Sequence, residues 1–380
     1  MEQKKPDRLY YPQFDAIRFF AAFLIIIYHS YIAWVGWFGV PGILSIGDYK
    51  NLSAFGGHVD KLIRNMPMGV DIFFFISGYL LTILLVMEKQ KYGKINIPKF
   101  YIRRGLRIWP LYFFLIAITP FIINWLDEKS PEYIWTILFV NNFQTIKTGI
   151  WEFPFAHFWS ICIEEHFYIF WPLIIGFVPI RKMIPTVLIL IGVSWTYKIY
   201  TYIFLVGNWY ELYLNTLSRM DVILLGGLLA LIYIRKPFVF KLDGYIQLGL
   251  LAILLIILSF DNASDISNMF NGVLRRPVYI VLLAIPMMDL MFNPSRINFF
   301  SKRNPVLYLG KVSYGIYMYG NILVPIVIKK IIMPYGLYNI YIYFSIVLVL
   351  SLLVPIISYE LIEKPFLKLK QRFALVKTRI

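Results

Sequence analysis

The sequence predicts an all-α polytopic membrane protein with about ten transmembrane helices and with both termini in the cytoplasm. Of its 380 residues, 59% are hydrophobic and only 15% are charged, and the mean hydropathy is +0.67. These values lie outside the range of soluble globular proteins. The apolar residues gather in runs near the ~20 residues that a helix needs to cross a bilayer. We expect residues 1–380 to form a single integral-membrane domain with a core of about 10–370.

Ten apolar runs are assigned as transmembrane spans. Only 220–234 is short for a crossing, and we expect polar structure beside it. A further stretch, 132–145, is apolar only in part, and we expect it to be an outer or re-entrant segment. The predicted spans are 13–34, 68–87, 106–126, 159–178, 183–206, 220–234, 244–260, 277–293, 313–333 and 338–360.

The basic residues fix the predicted orientation. With the N-terminus inside, 24 lysines and arginines fall in inner segments and 8 in outer loops, which is the positive-inside pattern. An eleventh span at 132–145 would place every later basic loop outside. This distribution also argues against nucleic acid as the reason for the net charge of +16. The inner residues are Lys4, Lys5, Arg8, Lys89, Lys91, Lys94, Lys99, Arg103, Arg104, Arg181, Lys182, Arg235, Lys236, Lys241, Arg296, Lys302, Arg303, Lys311, Lys364, Lys368, Lys370, Arg372, Lys377 and Arg379, and the outer ones are Lys50, Lys61, Arg64, Lys129, Lys147, Arg219, Arg275 and Arg276.

Two further features limit the class of protein. The single cysteine, Cys162, rules out an intramolecular disulfide and a cysteine-based metal cluster, and no metal cofactor is expected. The first apolar run is long and lacks a small-residue cleavage site. We therefore expect it to remain in the membrane as the first span.

The first span carries an arginine and a histidine, Arg18 and His29. Ionisable groups at membrane depth are costly and mark functional sites. Eleven helical residues bring the two side chains to nearly one face, roughly 16 Å apart along the axis, and Asp15 shares that face. Arg18 is close enough to the inner interface to be a snorkelling residue. His29 lies deeper in the span, where it has either a structural role or a role in proton transfer. A neutral imidazole is suited to accept a proton near neutral pH.

Arg103, Arg104 and Arg107 cluster at the inner mouth of the third span, because residues three and four apart share a helix face. Such residues are either topology anchors or a phosphate clamp, since guanidinium groups bind phosphoryl oxygens bidentately.

Glu164 and Glu165 enter the fourth span together. Two adjacent glutamates in an apolar helix need partners or water, although acids near a helix start also serve as caps. Glu164 is predicted at the depth of His29, and the two could form a base–carboxylate couple.

These motifs together resemble the family 3 membrane-bound acyltransferases, of the polysaccharide O-acyltransferase type, over nearly the whole chain. Each motif alone is weak, but seven in the same order are specific. They are Arg18 with His29, Gly69 to Tyr79, Arg104 with Arg107, Trp159-Ser160 with Glu164 to Tyr168, Arg219-Met220-Asp221, Ser313 to Tyr317, and Glu363 to Phe366.

The resemblance implies an O-acyltransferase of the bacterial inner membrane. It would move an acyl group, most often acetyl, from cytoplasmic acyl-CoA (acetyl-CoA as donor co-substrate) to a hydroxyl of a surface glycan or lipid-linked sugar. His29 would be the essential histidine and Arg18 its motif partner. The arginines Arg104 and Arg107, with Arg103 as a helper, would hold the CoA phosphates.

The catalytic roles stay open between alternatives. His29 would act as a general base or as a transient acyl carrier, and Glu164 or Glu165 would orient the imidazole or the acceptor. The alternatives from other classes are a transporter that uses the Arg–His track without covalent chemistry, and a scaffold in polysaccharide assembly.

The chain departs from the family pattern at two positions. Met318-Tyr319-Gly320 stands where members commonly have Leu-Trp-His, and His166 stands where a glutamine is usual, which is expected to alter the acceptor site. We expect no appended extracytoplasmic hydrolase-like domain of the kind that some relatives carry, and we therefore expect transfer to finish within the membrane domain or with a separate partner.

Overall fold

The computed structural model describes residues 11–45, 52–205, 208–236, 242–262, 265–292 and 304–373. No β-strand occurs in these ranges, and one isolated bridge joins Ser45 to Leu52. The helices are α1 (Pro12–Phe38), α2 (Ala54–Asn65), α3 (Met68–Tyr92), α4 (Ile97–Leu126), α5 (Tyr133–Ile137), α6 (Asn141–Thr148), α7 (Trp159–Phe177), α8 (Met183–Phe204), α9 (Trp209–Leu214), α10 (Thr216–Arg235), α11 (Gly244–Phe260), α12 (Arg275–Phe292), α13 (Pro305–Val327), α14 (Ile340–Ser358) and α15 (Lys364–Lys370).

The predicted fold class, an all-α polytopic membrane protein, is confirmed. Within the described residues, nine helical stretches are long and apolar enough to cross a membrane. The remaining predicted span corresponds to α11, which has 17 residues. Its start is tied to the end of α12, where the Leu242 backbone N–H donates to Asp289 (2.7 Å), and its end to the start of α12, where Arg275 pairs with Asp261 (3.2 Å). Since α11 therefore runs the length of α12, the fold favours ten crossings.

One predicted boundary changes and one non-spanning segment is confirmed. Helix α10 begins at Thr216 instead of 220, because the Asn215 side chain caps it by accepting from the Leu217 backbone N–H at 2.9 Å. The stretch 132–145 forms parts of the short helices α5 and α6 and does not span, as predicted. Ten of the basic residues used to predict the orientation lie outside the described residues: Lys4, Lys5, Arg8, Lys50, Lys241, Arg296, Lys302, Arg303, Lys377 and Arg379.

The helix α2 was not predicted. Ser53 caps it by accepting from the Gly56 backbone N–H at 2.9 Å. It crosses the outer ends of other helices, because Tyr31 of α1 donates to Asp60 (2.9 Å) and Asn65 donates to the carbonyl of Leu258 in α11 (3.1 Å). This short polar helix contributes side chains to the outer half of the molecule.

Glycines allow two pairs of spans to pack at backbone contact. A Cβ atom on Gly78 of α3 would lie 1.8 Å from the Ile223 carbonyl oxygen of α10, and one on Gly310 of α13 would lie 2.0 Å from the Asp15 carbonyl oxygen of α1. Small residues permit such approaches between membrane helices. This close packing sets the spacing of the helices around the two cavities described next.

Candidate active site

Two cavities lie inside the helical bundle. The inner cavity, about 260 Å³, lies towards the start of α1 and the end of α14, on the side predicted to be cytoplasmic. The outer cavity, about 450 Å³, lies towards the end of α1 and the start of α12. Val70 and Tyr317 line both cavities. We call these two residues the partition, because they separate the cavities.

The inner cavity is strongly basic. Six cationic side chains line it, against four carboxylates (Asp15, Glu88, Glu164 and Glu363). Arg18 is 3.8 Å from Asp15. The cationic residues are Arg18, Arg103, Arg104, Arg107, Lys311 and Lys370. The four arginines singled out from the sequence thus share one cavity, although the sequence placed them in two separate helices.

Two of these arginines are open to a ligand and one is not. Arg103 is occupied, since it pairs with Glu88 (3.1 Å) and donates to the Phe373 carbonyl (3.0 Å). Arg104 lies over the Tyr168 ring, 4.9 Å from its centroid. Neither Arg104 nor Arg107 forms an ion pair with any described residue. Because a guanidinium binds phosphate bidentately, these two are the ones suited to a phosphorylated ligand.

The two predicted glutamates point in different directions. Glu164 lines the inner cavity and accepts from Ser77 (2.9 Å) and Tyr168 (2.8 Å). Glu165 lines neither cavity and accepts from Trp109 at 3.4 Å. Because His29 lines the outer cavity, Glu164 and His29 do not form the predicted couple. The two side chains are separate because their helices are rotated so that each side chain faces a different cavity. The depth of a residue in a span can be read from the sequence, but the rotation of the helix about its axis cannot.

His29 is the histidine that is open to a ligand. In each of the other three, a ring nitrogen contacts a protein oxygen: His58 the Ser259 carbonyl (3.0 Å), His157 the Met318 carbonyl (2.9 Å), and His166 the Thr216 hydroxyl (2.8 Å). No described residue hydrogen-bonds to the His29 ring, and His29 lines the outer cavity.

His157 lines the same outer cavity but has no free nitrogen. Its Nε2 donates to a carbonyl, so in the neutral ring Nδ1 is the acceptor, and Asn321 donates to it at 3.3 Å. His157 is therefore fully bonded, which leaves His29 as the imidazole suited to take a proton. His166 lines neither cavity and stacks on Phe143, so its expected effect on the acceptor site is not direct.

The partition is held by hydrogen bonds. The Tyr317 hydroxyl donates to the His157 carbonyl (2.7 Å) and lies 2.6 Å from the Ser160 hydroxyl, and Ser160 lines the inner cavity. Val70 supplies the apolar side of the partition from the first turn of α3. A small group passing from one cavity to the other would pass these side chains.

An ion-pair network supports the outer cavity. Asp71 bridges two arginines, Arg219 at 2.5 Å and Arg276 at 3.2 Å, and so joins α3, α10 and α12. Asp221 pairs with Lys198 of α8 at 2.5 Å. Arg219 and Asp221 of the fifth motif thus each form an ion pair with a residue of another helix, and no local pattern in the sequence identifies Asp71 as the partner of Arg219.

Several lining residues were missed at the sequence level. Four basic lining residues were used only to predict the orientation: Lys311, Lys370, Arg64 and Arg276. Tyr317 was named only as part of a motif. The positive-inside pattern hides such residues, because most basic side chains at helix ends are anchors. Among the described residues, no group of three or more His, Cys, Asp or Glu is arranged to hold a metal ion.

The chain is similar in sequence to known O-acetyltransferases. The chain is 28% identical to the O-acetyltransferase OatA of Staphylococcus aureus (strain NCTC 8325 / PS 47) over 394 residues, covering 96% of this chain and 59% of that protein. It is 30% identical to putative O-acetyltransferases of S. aureus strains COL and MSSA476, covering 94% of this chain and 58% of each. The chain thus spans about three-fifths of the length of these relatives. No solved structure matches it.

The outer cavity, most of the inner cavity and six of the seven motifs lie within one matched region, whereas Glu363, Leu367 and Lys370 of the inner cavity lie beyond it. Residues 11–360 match the acyltransferase domain of the family 3 type. This region includes α1 to α14 and both members of the partition. The chain is an integral membrane protein that belongs to the family 3 acyltransferases.

Proposed function

We propose that the chain is an O-acetyltransferase of the bacterial cytoplasmic membrane. It takes an acetyl group from acetyl-CoA at the inner cavity and delivers it to a hydroxyl of a glycan or lipid-linked sugar at the outer cavity. The observation that carries the proposal is that the two cavities meet at Val70 and Tyr317, with open arginines on one side and the open His29 on the other.

The donor binds in the inner cavity. Arg104 and Arg107 hold CoA phosphates, and Lys370 and Lys311 add positive charge from the same lining. Arg103 supports the site indirectly, because it fixes the Phe373 carbonyl and Glu88. Arg18, eleven residues before His29 on α1, lies roughly 16 Å from it along the axis and marks the donor side.

The acceptor binds in the outer cavity, and His29 acts on it. The imidazole takes the proton of the acceptor hydroxyl as its oxygen attacks the thioester carbonyl carbon at the partition. The C–O bond forms, the C–S bond breaks, and the thiolate of CoA takes up a proton. In the acyl-carrier alternative, the His29 ring is acetylated first and the acceptor then attacks it.

Glu164 does not act on His29 in this mechanism. It accepts from Ser77 and Tyr168 on the inner side, where it balances the charge of Arg104 and Arg18. We assign it a positioning role in the donor site. Glu165 lies outside both cavities, and we assign it no catalytic role.

The proposal is tested by removing the imidazole. The purified chain in detergent is given labelled acetyl-CoA with envelope glycans, and release of free CoA and labelled product are measured. His29→Ala is expected to lower transfer by about 10²–10⁴-fold, the usual contribution of a general base, with binding of acetyl-CoA retained.

His58→Ala is the matched control, because His58 lines neither cavity and is expected to leave transfer unchanged. Full activity in His29→Ala would overturn the mechanism. Transport of a glycan without any release of CoA thiol by the unaltered chain would favour the transporter instead.

A further inference from the structure

We propose that the acceptor is an anionic sugar compound, whose negative group binds Arg276 in the outer cavity while a sugar ring lies against the neighbouring aromatic side chains. The negative group is a carboxylate of a sugar acid or a phosphate of a lipid carrier. This inference rests on the proposed function, since it names the chemical class of acceptor for the same site.

The charge of the outer cavity lining is unbalanced. Three arginines line it, Arg64, Arg275 and Arg276, and its only carboxylate among the described lining residues is that of Asp71. Two of these arginines have partners beyond the lining: Arg64 pairs with Asp60 (2.8 Å) and Arg275 with Asp261 (3.2 Å). The excess charge therefore belongs to the group around Asp71.

Asp71 is shared by two guanidinium groups. It pairs with Arg219 at 2.5 Å and with Arg276 at 3.2 Å, so these three groups carry a net charge of about +1. The neighbouring pair, Lys198 and Asp221, is neutral as a unit. Removing a positive charge from water is costly unless an anion or a hydrogen-bond acceptor compensates it.

Arg276 is the member of this group that a ligand reaches. Its side chain is 21% exposed, against 1% for Arg219, and only Arg276 of the two lines the cavity. Arg219 is enclosed by the rings of Phe74, Trp159 and Tyr213, and its Nε and Nη1 have no hydrogen-bond partner among the described residues. An anion at Arg276 thus stabilises the whole group.

Aromatic faces lie beside Arg276. Its guanidinium is 4.5 Å from the centroid of the Tyr213 ring, which stacks on Trp209 with centroids 4.4 Å apart. Trp151 and Trp159 line the same cavity, each within 6.4 Å of Tyr213. Aromatic side chains offer a rigid apolar face with a polar edge, which suits the faces of sugar rings. Since His29 shares this lining, a bound sugar hydroxyl lies within the cavity that contains the base.

The first test uses the natural acceptors. Glycans and lipid-linked sugars from cells that carry the chain are separated by anion exchange into neutral and anionic fractions, and each is offered to the purified protein with labelled acetyl-CoA. We expect the label in an anionic fraction. Water-soluble product identifies a sugar acid, and product that is extracted into butanol and released by mild acid identifies a lipid phosphate.

The second test uses Arg276→Gln and the acceptor fraction labelled most strongly. We expect the KM for the acceptor to rise about tenfold to a hundredfold, the effect of losing a hydrogen bond to a charged group, with the KM for acetyl-CoA unchanged. Arg276→Lys is expected to restore part of the loss. Lys329→Gln is the control, because it removes another outer positive charge that lines neither cavity.

A third measurement uses the unaltered chain, so it does not depend on whether a variant folds. In the unaltered chain the KM for the acceptor is expected to rise with ionic strength, because salt screens charges that water can reach. Label in the neutral fraction, or an acceptor KM that neither salt nor Arg276→Gln changes, overturns this inference alone. Absence of CoA release with every fraction overturns the proposed function itself.

Discussion

At the scale of single residues, two histidines of the outer cavity differ in their bonding: both ring nitrogens of His157 are hydrogen-bonded, whereas no described residue hydrogen-bonds to the His29 ring. Arg18 and His29 stand out because ionisable side chains are rare inside membrane spans. His157 does not stand out, since its role depends on Met318 and Asn321, more than 160 residues away. Such contacts leave no periodic pattern in the sequence, so the distinction between the open and the bonded histidine requires the fold.

Lys370 is expected to bind the donor. It lies on α15, beyond the matched region 11–360, and lines the inner cavity with Arg104 and Arg107. Lys370→Gln removes one charge from the phosphate site. We expect the KM for acetyl-CoA to rise about tenfold to a hundredfold, in the range of a charge-assisted hydrogen bond, while kcat stays within about twofold. Steady-state release of CoA measures both constants.

Lys364→Gln is the control for this prediction. Lys364 is on the same helix, but it pairs with Glu360 and lines neither cavity. An equal rise in KM for both variants would show that α15 contributes only general positive charge. No rise for Lys370→Gln would remove Lys370 from the donor site.

At the scale of helices, long apolar runs predict transmembrane spans well, whereas short helices of mixed composition are hard to recognise in the sequence. The spans were predictable because a bilayer requires runs of about 20 apolar residues. The helices α2 and α15 were not, because they are short and mixed in composition, and each is held by contacts with distant parts of the chain. Arg103 of α4, for example, holds the chain just after α15 at Phe373.

The contact between α3 and α10 is expected to tolerate no added methyl group at Gly226. A Cβ there would lie 2.0 Å from the Phe75 carbonyl oxygen, so the two helices would have to separate. Gly226→Ala is expected to destabilise the protein by about 1–3 kcal/mol, the usual cost of overpacking. It would also disturb Asp71 and Arg219, which join the same two helices. Thermal unfolding in detergent measures the change.

Gly192→Ala in α8 is the matched control. Gly192 is exposed, and a Cβ there would meet nothing within 4 Å. Since alanine favours a helix over glycine by about 1 kcal/mol, this variant is expected to be unchanged or slightly more stable. Equal destabilisation by both substitutions would contradict the close-packing explanation.

At the scale of the whole molecule, the division into two cavities was only partly predictable. The sequence predicted arginines at the inner ends of spans and His29 towards the outer half. In the structure these arginines line the inner cavity and His29 lines the outer cavity. Helix rotation was not predictable, and it separates Glu164 from His29 and Glu165 from both cavities. The residues of the partition, Val70 and Tyr317, come from spans that lie far apart in the chain, so no local pattern identifies them.

The orientation of the whole bundle is tested by single cysteines that react with a thiol reagent. The native Cys162, which is buried and free, is first replaced by serine. Lys94→Cys and Ser130→Cys place exposed thiols at the two ends of α4. A maleimide that cannot cross membranes is expected to label Ser130→Cys in intact cells and Lys94→Cys only in inverted vesicles. Ser267→Cys, after α11, is expected to be labelled from outside, because ten crossings place that loop there.

The reverse labelling would contradict more than the topology. It would place the open arginines Arg104 and Arg107 outside, away from cytoplasmic acetyl-CoA, and the donor assignment of the inner cavity would fall with it. Labelling of Ser267→Cys only in inverted vesicles, with the other two as expected, would instead mean that the 17-residue α11 does not cross. Arg275 comes eight residues after Ser267 and begins α12, so in that case the start of α12 would lie on the inner side, and the assignment of the outer cavity to an outer acceptor would fall.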